Sequence, residues 1–429
     1  MKMDTFEAGP LFDSLQNFRE DVKEGGLGPN ADLVERFARV IPEVRQDFEQ
    51  ATRFLLLYSR KSEATFNRFR NEIERFLIWS WSSPGKSVIQ LKRADIENYI
   101  NLCWSPPPAW INTQVVPRFV LVNGRRSANR DWRPFTFKVP KGQRKMAYER
   151  GQDINIDVKQ YQIGQSTLLS IFTALNVFFK DLLLEEYAET NLIPITKKRC
   201  PYLIKQAGAV EVQRFSELQW NFILETATIM ANSDPKFERH LFLIALLKTL
   251  YLRISELAIR LSPVTGDPEW IPVMEHFWTK DGYWYLKVFG KGRKASSVTV
   301  PDTLLPYIKR YREHLNVFGL PAQGEKMPII GKIKGKGAMT ARQLTRLVQE
   351  VFDTAVKRMQ DEGFFDEAND LRNATTHWLR HTGASQDIDS RPLKHLADDL
   401  RHASMGTTDK IYIQSDLRER SESGKRRKV

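Results

Sequence analysis

The 429-residue sequence reads as a mainly α protein with one small antiparallel β-hairpin, in which helical N-terminal regions precede a mixed C-terminal domain. Three observations carry that reading. Apolar residues recur at three- and four-residue spacing through most of the chain, the period changes to two across residues 281–301, and a Pro- and Arg-rich insert at 105–160 interrupts the helical pattern. The length suits two or three domains with ordinary cores.

Residues 1–58 open on a Gly/Pro-containing, acidic-leaning stretch and continue into an amphipathic segment, where Leu33, Phe37, Val40, Val44, Phe48 and Leu55 approximate one helical stripe. This predicts an N-terminal helical extension. Residues 59–195 predict a small helical bundle: Phe66, Phe69, Ile73, Phe76, Leu77 and Trp79 form one core stripe, and Leu168, Ile171, Leu175, Phe178 and Leu182 another. Arg68, Arg70 and Arg75 fall on other faces of the first helix. In the insert, prolines forbid a long helix, while Arg118, Arg125, Arg126, Arg130, Arg133, Lys138, Lys141, Arg144 and Lys145 suit a sugar-phosphate backbone. A solvated loop has the same composition. Residues 196–213 lack periodicity and read as an extended basic linker.

The domain at 214–416 begins with Ser216 and Gln219 spaced as a capping box. A strong helix is expected over HLFLIALLKTLYLRISELAIRL, with Leu243, Leu246, Leu247, Leu250, Ile254 and Leu257 inward, Arg253 beside the stripe, and Glu256 three residues on. Glu256 is either an ordinary salt-bridge partner or the group that orients the Arg253 fork toward a phosphate. Next, Trp284, Leu286 and Val288 alternate with Tyr285, Lys287 and Phe289, the turn GKGRK carries Lys291, Arg293 and Lys294, and Val298 and Val300 return. A helix capped by Thr340 and Gln343 follows, then Thr375-Thr376-His377-Trp378-Leu379-Arg380-His381-Thr382-Gly383. On a helix, His377 and Arg380 lie one turn apart and face the same way, whereas His381 points elsewhere. The last motif, LRHASMGTTDKIY, joins His402 through a Gly406 turn to Tyr412 on an expected helix. The tail at 417–429 ends in Lys425, Arg426, Arg427 and Lys428, which suits contact with DNA or a neighbouring protomer and equally a solvated end.

Lys+Arg number 65 against 52 Asp+Glu, a formal charge of +13, which favours a polyanionic partner. The two cysteines, Cys103 and Cys200, match no metal or disulfide framework and point to a reducing compartment. The start MKMDTFEAGP has no basic-then-apolar leader, and the longest apolar run, Leu241 to Leu247, is too short to span a bilayer. A cytoplasmic, nucleoid-associated protein is expected, with no membrane partner.

In chain order Arg253, Lys291, His377, Arg380, His402 and Tyr412 combine cationic and proton-carrying groups with one phenol, the set needed to break a phosphodiester by nucleophilic attack. With RISEL, the GKG hairpin, HWLRHTGAS and LRHASMGTTDKIY, the chain resembles the tyrosine recombinase (phage integrase) family over 213–416, and more loosely over 62–195. Residues 1–58 and the insert have no counterpart in it. Leu252 and Arg401 stand where the family usually has Gly, and the step from His402 to Tyr412 is one residue longer than usual, with Lys410 as the extra.

The resemblance implies a helical core-binding domain followed by a catalytic domain, together forming a clamp on DNA. It implies Tyr412 as nucleophile, Arg253 and Arg380 on the non-bridging oxygens, Lys291 as the acid for the leaving 5′-oxygen, His377 as proton acceptor or donor, and His402 as a donor to the phosphate. Arg68, Arg70, Arg125, Arg126, Arg130, Arg133, Arg144, Lys145, Arg293 and Lys294 are the expected DNA contacts. No cofactor and no metal are expected. The implied partners are a double-stranded recombination site, a homo-tetramer on synapsed DNA, and accessory or partner recombinase proteins, with integration, excision or resolution of a mobile element as the outcome. A type IB topoisomerase or telomere resolvase shares the same residue types, and a non-catalytic DNA-binding relative is the reading from another class.

Overall fold

The computed structural model describes residues 8–25, 28–154, 156–204, 213–290, 294–332, 334–402 and 424–425. The chain divides into two compact units, one of residues 1–139 and 152–205, the other of 140–151 and 206–429.

The first unit contains α1 (Leu15–Lys23), α2 (Ala31–Ala38), α3 (Val44–Ser59), α4 (Glu63–Ser82) and α5 (Arg93–Trp104). The insert supplies β1 (Ile111–Asn112) paired in parallel with β4 (Phe135–Thr136), and the hairpin β2 (Phe119–Val122) with β3 (Arg125–Ala128). An α-helical segment of the insert, α6 (Lys141–Glu149), groups with the second unit; α7 (Gln165–Leu184) and α8 (Ile193–Arg199) complete the first.

One core runs through the first unit and includes Leu11, Phe12, Phe18, Leu33 and Phe48 beside Phe66, Phe76, Leu168 and Phe178. Residues 8–58 therefore share the bundle's core. The expected single stripe is two helices, because the chain turns before Pro42 and leaves Val40 80 % exposed. α7 is 20 residues long and apolar enough by composition to cross a bilayer, yet Leu168, Ile171, Leu175, Phe178 and Leu182 are core residues. The expected linker begins as helix, since α8 runs to Arg199 and buries Thr196. Arg75 is also inside, donating from Nε to Tyr99 Oη at 3.2 Å, so α4 is buried on more than one face.

The second unit continues with α9 (Glu217–Ser233) and α10 (Glu238–Thr249), the short pair β5 (Arg260–Leu261) and β6 (Pro268–Trp270), and an antiparallel sheet of β7 (Phe277–Lys280), β8 (Tyr283–Phe289) and β9 (Ala295–Val300). α11 (Leu305–His314), α12 (Ala341–Asp361), α13 (Phe365–Leu371), α14 (Thr376–Asp387) and α15 (Leu393–Asp399) follow. Ser216 with Gln219 and Thr340 with Gln343 form the expected capping boxes, which satisfy free backbone N–H groups at the starts of α9 and α12. The hairpin alternates as expected, with Leu286, Val288, Val298 and Val300 turned to the core. The β7 strand was not legible.

Candidate active site

The expected helix through Arg253 ends early. α10 stops at Thr249, Tyr251 turns the chain with φ +48°, and Arg253 is extended (φ −79°, ψ 140°) ahead of a single 3₁₀ turn, Ile254–Glu256. A leucine stripe does not register such a break, because Leu250, Leu252 and Leu257 stay buried on either side of it. The turn is closed by Glu256, whose Oε2 accepts from the Arg253 backbone N at 2.8 Å and whose Oε1 accepts from Arg253 Nη1 at 3.3 Å.

α14 carries His377 and Arg380, as its sequence predicts. It approaches α10 closely at Gly383, where a Cβ would come within 2.2 Å of the Lys248 carbonyl and 3.0 Å of the Tyr251 ring. That approach brings Arg380, 2 % exposed, onto the turn: Nη1 donates to the Tyr251 carbonyl at 2.6 Å and Nη2 to the Leu400 carbonyl. Nη2 also lies 3.3 Å from His402 Nε2. A guanidinium only donates, so His402 Nε2 accepts and carries no proton.

Arg401, which the sequence marks only as a departure from Gly, lies in the same cluster. At φ +54° it sits in the left-handed region, and its fork spans Glu256, with Nε to Oε1 at 3.0 Å and Nη2 to Oε2 at 2.8 Å. Nη2 also donates to the Tyr251 carbonyl at 2.8 Å and Nη1 to the Asp399 carbonyl. Glu256 thus joins Arg253 to Arg401, and the Tyr251 carbonyl joins Arg401 to Arg380. The buried carboxylate and the carbonyl tie three arginines from three segments into one cluster.

The histidines respond to that charge. Burial, then Arg380 and Arg253, lowers the pKa of His377. Burial, then the neighbouring arginines led by Arg380, pulls His402 down to about 4. His381 does not point away from the site: its ring centroid is 6.1 Å from that of His377, and burial, then His377 and Arg380, takes it to about 4. All three imidazoles are neutral at pH 7, and the positive charge resides on the arginines.

The sheet reaches the same place. A side chain at Gly290 would lie 3.6 Å from Glu256 Oε1, and the Gly290 N–H donates to the Lys294 carbonyl at 2.9 Å. Lys291, Arg293 and Tyr412 lie outside the described residues. Behind the cluster, Asp399 accepts from the Thr299 N at 3.0 Å and from Arg391 at 2.6 Å, and Arg391 also donates to Tyr251 Oη at 3.1 Å. β9, α15 and the Tyr251 turn are thereby braced together.

The expected DNA contacts divide. Arg70 is buried and donates to the Asp13 carbonyl at 2.7 Å, and Arg126 pairs with Asp13 at 3.0 Å and with Asp21. With Arg118, which pairs with Glu74 and donates to the Phe12 carbonyl at 2.8 Å, they hold the N-terminal extension, Arg70 buried and Arg118 and Arg126 partly exposed. Lys145 pairs with Asp353, and Arg133 donates to the Arg130 carbonyl at 2.7 Å. Arg68, Arg125, Arg130, Arg144 and Lys294 are exposed. So are Lys332, Lys334, Lys336, Arg342 and Arg346, a basic run in the second unit that has no helical period to single it out.

No protein-family model matches the chain, and no curated protein does. Among solved structures, the chain superposes on the XerH site-specific recombinase bound to a palindromic difH substrate in a post-cleavage complex, with a TM-score of 0.54, 14 % identity, and 99 % of each chain covered. The fold is that of a tyrosine recombinase. A lambda integrase dimer bound to a COC′ core site is similar at a TM-score of 0.47 and 13 % identity, over 88 % of this chain and 81 % of that one. At 14 % identity the likeness to the XerH recombinase shows the fold alone, and the chemistry rests on the cluster itself.

Proposed function

We propose that the chain is a site-specific DNA recombinase that cleaves and rejoins strands through a 3′-phosphotyrosyl intermediate. The observation that carries this reading is the convergence of Arg253, Arg380, His377 and His402 about Glu256 and the Tyr251 carbonyl. Two arginines with neutral imidazoles beside them suit a phosphodiester, whose charge grows as it becomes pentacoordinate. In this reading the Tyr412 phenol oxygen attacks phosphorus, a proton passes to a base of which His377 is the candidate, and the bond to the 5′-oxygen breaks. Lys291 gives that oxygen its proton. The P–O bond energy is kept in the tyrosyl ester, so a second 5′-hydroxyl reverses the step and seals the strand. Roles for Lys291 and Tyr412 rest on the family resemblance of their motifs.

The reading implies duplex DNA as substrate, a homo-tetramer that exchanges strands in pairs through a Holliday junction, and a mobile element as the DNA moved, on the bacterial nucleoid. Arg68, Arg125, Arg130, Arg144 and Lys294 are the exposed cations proposed to follow the phosphates. The test uses a pool of nicked duplexes of randomised sequence, in which cleavage beside the nick releases a short fragment and traps the enzyme. An SDS-resistant adduct is expected from the unsubstituted chain, and none from Tyr412→Phe, which still retains DNA on a filter. An adduct that survives Tyr412→Phe sinks the assignment.

A further inference from the structure

We propose that Arg401 is a positioning residue that takes up the charge of Glu256 and so leaves the Arg253 guanidinium free to grip the scissile phosphate, an inference that rests on the recombinase reading. Glu256 is 1 % exposed and its two oxygens accept four hydrogen bonds. The short ones from side chains, 2.8 and 3.0 Å, belong to Arg401; Arg253 reaches the same carboxylate through one nitrogen at 3.3 Å. Bidentate pairing is the stronger geometry, so Arg401 neutralises the carboxylate and Arg253 is only steered by it. Nε and Nη2 of Arg253 have no protein partner among the described residues, and its side chain is 27 % exposed. That is the state a phosphate clamp requires.

The backbone shows that the arrangement is costly. Arg401 holds φ +54°, a conformation that glycine adopts without penalty and arginine does not. Its guanidinium also shares the Tyr251 carbonyl with Arg380, so it spaces the two arginines that would hold the non-bridging oxygens. Without Arg401, the buried Glu256 keeps Arg253 as its only cation among the described residues, and a buried carboxylate draws its partner into a full ion pair. Arg253 would then be taken from the phosphate.

The experiment measures adduct formation on the nicked random-sequence pool, together with filter retention of DNA and melting temperature. Arg401→Gly relaxes the left-handed backbone and is expected to form adduct ~100-fold more slowly, of the order of losing one preorganised donor, while DNA retention is kept. Glu256→Gln in the same background removes the charge that captures Arg253 and is expected to recover about tenfold of that rate. A purely structural role for Arg401 predicts that the double variant is no faster than Arg401→Gly, and that result overturns the proposal. So does an Arg401→Gly variant that cleaves at the unsubstituted rate. If Arg401→Gly does not fold, Arg401→Lys replaces it with the same criteria, since one ammonium cannot span both carboxylate oxygens. Absence of adduct from the unsubstituted chain overturns the recombinase reading itself, so the two failures are told apart.

Discussion

Arg380 is held on both sides by carbonyls, those of Tyr251 and Leu400, so its position depends on the planar fork as much as on charge. Arg380→Lys keeps the charge and loses the fork. It is expected to lower adduct formation by ~100-fold or more, with DNA retention falling far less; equal losses in both would mean that Arg380 serves binding alone. The histidines give a pH prediction. His381 and His402 have pKa values of about 4 in the folded chain against 6.5 when free, so between those values the unfolded chain binds protons that the folded chain does not. Stability is therefore complete above pH 6.5 and falls as pH drops toward 4. Melting temperatures measured across that window should decline, and His381→Asn should make the decline shallower; an unchanged slope would contradict the assigned burial.

At the scale of elements, the contact between α10 and α14 depends on a residue with no side chain. Gly383→Ala places a methyl against the Lys248 carbonyl and the Tyr251 ring, which forces backbone movement and should destabilise the chain by ~1–3 kcal/mol. Denaturant unfolding checks this, and a neutral result would mean that α14 does not pack as closely as described. Much of the element content was legible: the stripes around Phe66 and Leu175, both capping boxes, the period-two hairpin and the helix bearing His377 and Arg380 all follow from spacing alone. The break at Tyr251 was not, since a positive φ at a tyrosine leaves no mark in an apolar pattern. Arg401 was visible as a misfit at a glycine position, but nothing in one dimension could show that Glu256 lay within its reach. The same holds for Arg70, Arg118 and Arg126, where an arginine at a phosphate and one over a buried acid look alike in composition.

Over the whole molecule, basic side chains have two uses. In the first unit Glu74, which is fully buried, accepts from the backbone N–H groups of Leu11 and Phe12 at 2.6 and 3.0 Å and pairs with Arg118, so one acid ties the N-terminal residues to the bundle. Glu74→Gln should cost about 1–3 kcal/mol by weakening charge-assisted bonds. Limited proteolysis should then cut near residues 8–25 first, while the second unit's fragments stay intact; an unchanged digestion pattern would show that this acid does not anchor the extension. In the second unit Arg253, Arg380 and Arg401 gather about Glu256 and the Tyr251 carbonyl, the cluster proposed to serve a covalent exchange of DNA strands. Mass spectrometry of the tryptic adduct formed on nicked duplex measures that most directly. A 3′-phosphoryl nucleotide remnant is expected on the peptide that contains Tyr412, and a remnant on any other residue, or cleaved DNA with no protein attached, would contradict the proposed exchange.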